Sequence, residues 1–268
     1  MTQTLIENID SIPPLPESVQ ALEKVYNDPE STFEDFTKII EQDPLLTADI
    51  LKLVNSPLFG LPRKVNDLSQ AVSLLGKDAI RSCALNSVVE NNFTIDLSPY
   101  NMTKEDFAKA CALQLSLAMN WVGRADRDLV GILSPAAFLV DLGRVVIAKT
   151  LIDDDKVSII ELALISGEDI SQAEITACGV EATEVTATLF EKWNFDSETI
   201  YIIRHCDDPY STKKEKQKIV AYLKAIREAV LPNGDITEDS IAEAKVTIEE
   251  FNLDEEKFDK AIEKIQNA

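Results

Sequence analysis

Residues 43–76 read DPLLTADILKLVNSPLFGLPRKVNDLSQAVSLLG, and the fold follows from how this stretch divides. Asp43-Pro44 opens a helix, because proline suits the first helical position and aspartate the cap before it. Leu46, Ile50, Leu53 and Val54 then fall on one face at helical spacing. Asn55-Ser56-Pro57 stops the helix, since proline cannot extend it and Asn or Ser can close the turn. The loop Leu58-Phe59-Gly60-Leu61-Pro62-Arg63-Lys64 is unusually apolar for a surface connection. Asp67-Leu68-Ser69-Gln70 opens a short second helix through Leu74 and Leu75, closed at Gly76, which reads as a left-handed cap. Leu58, Phe59 and Leu61 have to tuck against a neighbour, so the segment is a rigid corner. It carries no nucleophile–base pair and no metal cluster. Asn55, Ser56, Pro57, Leu58, Phe59, Gly60 and Leu61 are therefore candidates for an interaction surface.

On the N-terminal side, Ile12-Pro13-Pro14-Leu15-Pro16 is an extended lead-in, because each proline holds the residue before it out of the helical region. A helix follows from Glu17 to Asn27. Ser31-Thr32-Phe33-Glu34 reads as a capping box ahead of the next helix. With the two helices of the opening stretch and one from Asp78 to Val89, residues 1–95 form a five-helix bundle. Residues 96–210 form a second helical unit. It has a long helix from Thr103 to Val122 and a strongly apolar one starting at Ser134-Pro135, read as the buried centre. Residues 211–268 are a C-terminal extension, with a helix over 211–230 and two acidic helices near 238–250 and 254–266, expected to pack back. The fold class is all-α.

The 268 residues carry 47 acidic against 26 basic side chains, a net charge of −21. A chain this acidic repels phosphate backbones, which excludes nucleic acid as a partner and disfavours anionic membrane surfaces. No apolar run approaches the ~20 residues of a spanning helix, and the N-terminus lacks the features of a secretory signal. Cys83, Cys111, Cys178 and Cys206 show no CxxC spacing and read as buried reduced thiols, pointing to a reducing cytosol.

The chemistry on offer is sparse. His205 is the one histidine, whereas His- and Asp-based metal hydrolases need several converging ligands. No Gly-x-Ser-x-Gly elbow, GxGxxG or Walker loop occurs. Asp141, within Phe138-Leu139-Val140-Asp141-Leu142-Gly143-Arg144, is the one acid that stands out. It lies in the most apolar stretch, where an ionised carboxylate needs a partner, and Arg144 at i+3 is a candidate. No catalytic residue, metal ligand or cofactor is assigned.

The run IPPLP…DPLLTADILKLVNSPLFGLPRKVNDLSQAVSLLG strongly resembles the opening of the HDOD family, an HD-related output domain of bacterial signalling proteins. Residues 138–144 look like its Leu-Leu-His-Asn/Asp-Ile-Gly-Arg/Lys segment. Glu174, Gly179, Glu184-Val185 and Trp193-Asn194-Phe195 resemble its later block, and Ile203-Arg204-His205-Cys206 its closing His-His pair. The resemblance covers about residues 8–210, with NSPLFG its most specific part. It implies an all-helical, non-catalytic regulatory domain related to metal-dependent phosphohydrolases. The departures bear on activity. Val140 stands where the HD dyad has histidine, Gly179-Val180-Glu181-Ala182 replaces Gly-x-Asp-His, and Ala110 takes the first-helix histidine position. Of the ligand set only Asp141 and His205 remain. The expectation is a cytoplasmic signalling protein that binds protein partners through the corner. The alternative is a sensor holding a small anionic ligand in a vestigial pocket of Asp141, Arg144, Arg204 and His205. A residual phosphohydrolase comes third.

Overall fold

Many helix starts are set by a single side chain. Thr2, Thr32, Asp43, Asp67, Asp169, Asp196, Thr237 and Asp254 each accept a backbone N–H from the first turn of the helix that follows. Each such cap contributes about 1 kcal/mol. The structure is a computed structural model and describes residues 1–56, 61, 63–122 and 127–267. Among these there are α-helices and short 3-10 turns but no strand.

The first helix, α1 (Gln3–Ser11), is one that the sequence reading missed. It packs on α9 (Leu142–Asp153), in the middle of the chain. Asn8 donates to Thr150 and Asp153, and Thr4 to Asp154. Asp153 and Asp154 thus anchor the N-terminus. Next come α2 (Glu17–Tyr26), α3 (Phe33–Glu41), α4 (Pro44–Val54), α5 (Leu68–Leu75) and α6 (Lys77–Asn92), as anticipated within a residue or two except that α6 runs three residues past the expected Val89. Two local readings are corrected. The capping box pairs Thr32 with Asp35 and not Glu34; Glu34 instead pairs with Lys38. Gly76 has φ 88° and ψ 165°, an extended conformation at positive φ that only glycine adopts readily and not the left-handed helical one. It ends α5 and starts α6 with no residue between.

The second unit comprises α7 (Lys104–Val122), α8 (Arg127–Leu139), α9, α10 (Val157–Ser166), α11 (Ile170–Cys178), α12 (Ala182–Lys192) and α13 (Ser197–Arg204). Pro135 lies inside α8 and does not start it. Proline lacks the N–H that would bond the carbonyl four residues back. That carbonyl, of Gly131, instead accepts from Arg81 Nη1 at 3.3 Å. Arg81 is almost wholly buried and also makes a two-pronged bond to Glu23. Its guanidinium lies over the rings of Tyr26 and Phe195, so one side chain ties α2, α6 and α8 together.

The C-terminal α14 (Lys214–Ala229), α15 (Glu238–Glu250) and α16 (Glu255–Gln266) pack back, α14 on α8 and α7, and α16 on α7. Trp121 at the end of α7 fixes them. Its indole N–H donates to the Asp254 carbonyl at 2.8 Å, and its ring meets Tyr222 and Phe258. One apolar cluster runs through the whole chain, from Leu5 to Ile262. The expectation that no apolar run reaches membrane-spanning length is corrected. Leu129–Asp153 is long and apolar enough by composition, but 89% of its most apolar window lies inside the protein. All four cysteines are free and buried, and burial pushes the Cys83 thiol up to about 12.

Candidate functional site

Asp141 sits at the break between α8 and α9, and its carboxylate is enclosed by donors. Arg144 Nη1 lies 3.0 Å from Oδ1 as an ion pair without hydrogen-bond geometry. Arg227 Nε, from α14, donates to the same oxygen at 3.0 Å, and Gln114 Nε2, from α7, donates to Oδ2 at 3.1 Å. Burial alone would raise the Asp141 pKa, but the two guanidinium groups and the bonds from Gln114 and Arg227 outweigh it and hold the carboxyl at about 2. Arg227 also pairs with Asp207 through Nη1, and its side chain is only 11% exposed.

A second carboxylate completes the cluster. Glu174 on α11 is fully buried. Its Oε1 accepts from the Tyr100 hydroxyl at 2.9 Å and from Arg144 Nε at 3.2 Å, and its Oε2 from the Ala182 N–H at 2.8 Å. The buried charges therefore balance, two guanidinium groups against Asp141 and Glu174, with Asp207 open to solvent at the rim. Buried ionic groups are tolerated when their charges are paired in this way, although Arg144 Nη1 has no hydrogen-bond partner. Glu181 lies near this rim; burial, with Asp207 next, raises its pKa.

The positions that the resemblance aligns with further metal ligands hold hydrocarbons. Ala110, Val140 and Ala182 are all buried in the apolar core. Among the described residues no group of three or more His, Cys, Asp or Glu side chains is arranged to hold a metal ion. The site does not fit a divalent cation, because a guanidinium takes the carboxylate oxygen that such an ion would need.

The four residues of the anticipated pocket do not converge. Asp141 and Arg144 meet. Arg204 turns away to Glu184 and Glu191, at 3.0 and 2.9 Å. His205 bonds Ser211 through Nδ1 at 3.0 Å, and its ring lies tilted against that of Tyr201. Gln114, Asp207 and Arg227 were missed. Arg227 left a trace in the sequence, since it continues the Val220, Leu223 apolar stripe of α14 at helical spacing, where a lone arginine needs a buried anion.

At the corner, Asn55 ends α4 and clips the loop shut. Its Nδ2 donates to the Leu51 and Val65 carbonyls at 2.7 and 2.8 Å, and its Oδ1 accepts the Val65 N–H at 2.8 Å. A groove beside it is lined by Lys52, Asn55, Ser56, Leu61, Arg63 and Lys64, among others. Pro57, Leu58, Phe59 and Gly60 lie outside the described residues. Asn55→Ala removes all three bonds and is expected to cost about 2 kcal/mol, read as a lower urea midpoint at unchanged slope.

The described residues form an all-helical scaffold with an internal ion-pair cluster around Asp141. The chain belongs to the HDOD domain family, whose profile matches residues 12–209. It is similar in fold to a Marinobacter aquaeolei protein provisionally named a signal transduction protein, with a TM-score of 0.74, 21% identity, and coverage of 99% of this chain and 60% of that one. It also resembles a Shewanella amazonensis protein provisionally named a phosphohydrolase, with a TM-score of 0.69, 20% identity, and coverage of 99% and 94%. A curated Treponema pallidum protein, described as uncharacterized, is 34% identical over 76 residues, which is 28% of this chain and 15% of that protein's length.

Proposed function

We propose that this chain is a non-catalytic HDOD regulatory domain that works by binding protein partners. The observation that carries the reading is the enclosure of Asp141 by Arg144, Arg227 and Gln114. A carboxylate held this way is a structural anchor and offers no open oxygen to a metal or a water nucleophile. The corner around Asn55–Leu61 is the docking edge in this reading. Lys52, Arg63 and Lys64 border its groove, a local cluster of positive charge on a chain of net charge −21. The likeness to a provisionally named phosphohydrolase is at 20% identity and bears on the fold alone.

The test is elemental analysis of the purified protein, joined to hydrolysis assays on bis-p-nitrophenyl phosphate and nucleoside phosphates with added Mn²⁺. The expected result is no stoichiometric transition metal and no turnover above the blank. Bound metal with turnover that Asp141→Asn abolishes overturns the reading.

A further inference from the structure

Helix α10, VSIIELALIS, turns Ile160 and Ala163 to the core. On its outer side Leu162 is 65% and Ile165 84% exposed, three residues apart and so on neighbouring points of the helix surface. Leu164 is exposed on the same helix, as are Ile175 on α11 and Ile152 on α9, and α10 packs on both of those helices. Single exposed apolar residues are ordinary, but several gathered on adjoining elements mark a contact surface.

Along α10 and α11 the charge has one sign, and the two lysines beside the face, Lys149 and Lys156, are paired with Asp153 and Asp154. From Val157 to Glu191 the chain contains no lysine and no arginine. Glu161 sits four residues before Ile165 on the outer side of α10, and Glu168 and Asp169 follow in the exposed connection to α11. An apolar centre with an anionic rim repels a second copy of itself and an anionic bilayer. It complements a helix with an apolar stripe flanked by Lys and Arg. We infer that the outer face of α10 docks a basic amphipathic helix of a partner protein. The inference rests on the reading that the chain works by protein contact, and it adds to the corner a second surface with a partner chemistry of its own.

The probe is a fluorescein-labelled peptide of leucine and lysine only, with leucine at helical i, i+3, i+4 spacing, titrated against the full chain by anisotropy. Wild type is expected to bind, more weakly as salt rises. Ile165→Glu and, separately, Leu162→Glu are expected to weaken binding at least about tenfold, ~1.4 kcal/mol. Each variant makes the protein more acidic, so general attraction between a cationic peptide and an acidic protein would move the other way. Both positions are exposed, and circular dichroism should leave their folding unchanged. Three results overturn the inference: no binding to wild type, variants that bind as tightly as wild type, or equal binding of the counterpart peptide with glutamate in place of lysine. A wild-type dimer in sedimentation that Ile165→Glu dissociates, or flotation with phosphatidylglycerol vesicles that the variant loses, likewise overturns it in favour of another occupant. Metal-dependent turnover would instead defeat the functional reading itself, whatever the peptide does.

Discussion

Arg227→Ala is expected to lower the stability of the chain by about 3–5 kcal/mol, the usual consequence of removing one partner from a buried ion pair. The loss does not come from the attraction alone. In the wild type, Arg227 bonds Asp141 through Nε and Asp207 through Nη1, and without it Asp141 keeps only Arg144 and Gln114. Arg144 is already shared with Glu174, so two fully buried carboxylates would rest on one guanidinium. Urea unfolding followed by circular dichroism reads the change as a fall in midpoint. Arg227→Lys keeps the charge but not the planar fork and should fall between the two. It remains measurable if the alanine variant does not fold. A loss under about 1 kcal/mol in both variants would mean that the pair is incidental.

The same cluster sets a pH dependence. The Asp141 carboxyl is held at about 2 in the folded protein, against roughly 3.9 in an unfolded chain. A depressed carboxyl stabilises the fold fully above the unfolded value and loses that contribution as pH falls toward the folded one. The difference corresponds to about 2–3 kcal/mol. The stability gap between wild type and Asp141→Asn should therefore be constant above about pH 5 and shrink by that amount between about pH 4 and pH 2, in paired urea titrations. A gap that stays flat through this window would show that the carboxylate is not held by charge.

This cluster also marks where the sequence stopped being informative. Helices α2 to α6 follow from local signals, a cap at one end, a Gly or Pro at the other and apolar residues three and four apart, and they fall where those signals put them. Asp141 and Arg144 are three residues apart, so their pairing could be read directly. Arg227 lies 86 positions away from Asp141, and only the way α14 crosses α8 brings it there. Nothing in the spacing of two distant helices encodes that crossing. Pro135 failed for a related reason, because the rule that proline starts a helix is local and the Arg81 donor that suspends it comes from another helix. The nine residues of α1 could have been found, since Leu5, Asn8, Ile9 and Ile12 are all buried at helical spacing. The adjoining prolines drew attention to an extended segment instead. His205 shows the opposite error, in which family resemblance put it in the pocket while its backbone position at the end of α13 sends the ring to Tyr201 and Ser211.

Gly143→Ala is expected to be the most damaging small substitution in the second unit, with a loss above about 4 kcal/mol. A methyl group there would overlap the Ala182 carbonyl oxygen and come within 2.9 Å of both the Ala182 carbonyl carbon and Val185 Cβ. The obstacle is mostly backbone, so no rotamer change relieves it and α9 has to move off α12. That movement also breaks the bond from the Gly143 N–H to the Thr186 hydroxyl, 2.8 Å long. Gly167→Ala is the contrast. Its φ is 70° with nothing within 4 Å of the added carbon, so only the conformational cost of about 1 kcal/mol applies. The two variants differ by one methyl group each, and near-equal urea midpoints would refute the packing account. A further consequence ties this glycine to the ion pairs. Gly143 is two residues from Asp141, so a shift of α9 carries the carboxylate away from Arg227 and removes part of what Arg227→Ala removes. The double variant should then lose less than the sum of the singles, by more than the roughly 0.5 kcal/mol within which independent sites add. Strict additivity would mean that the glycine contact holds the two helices together without positioning Asp141.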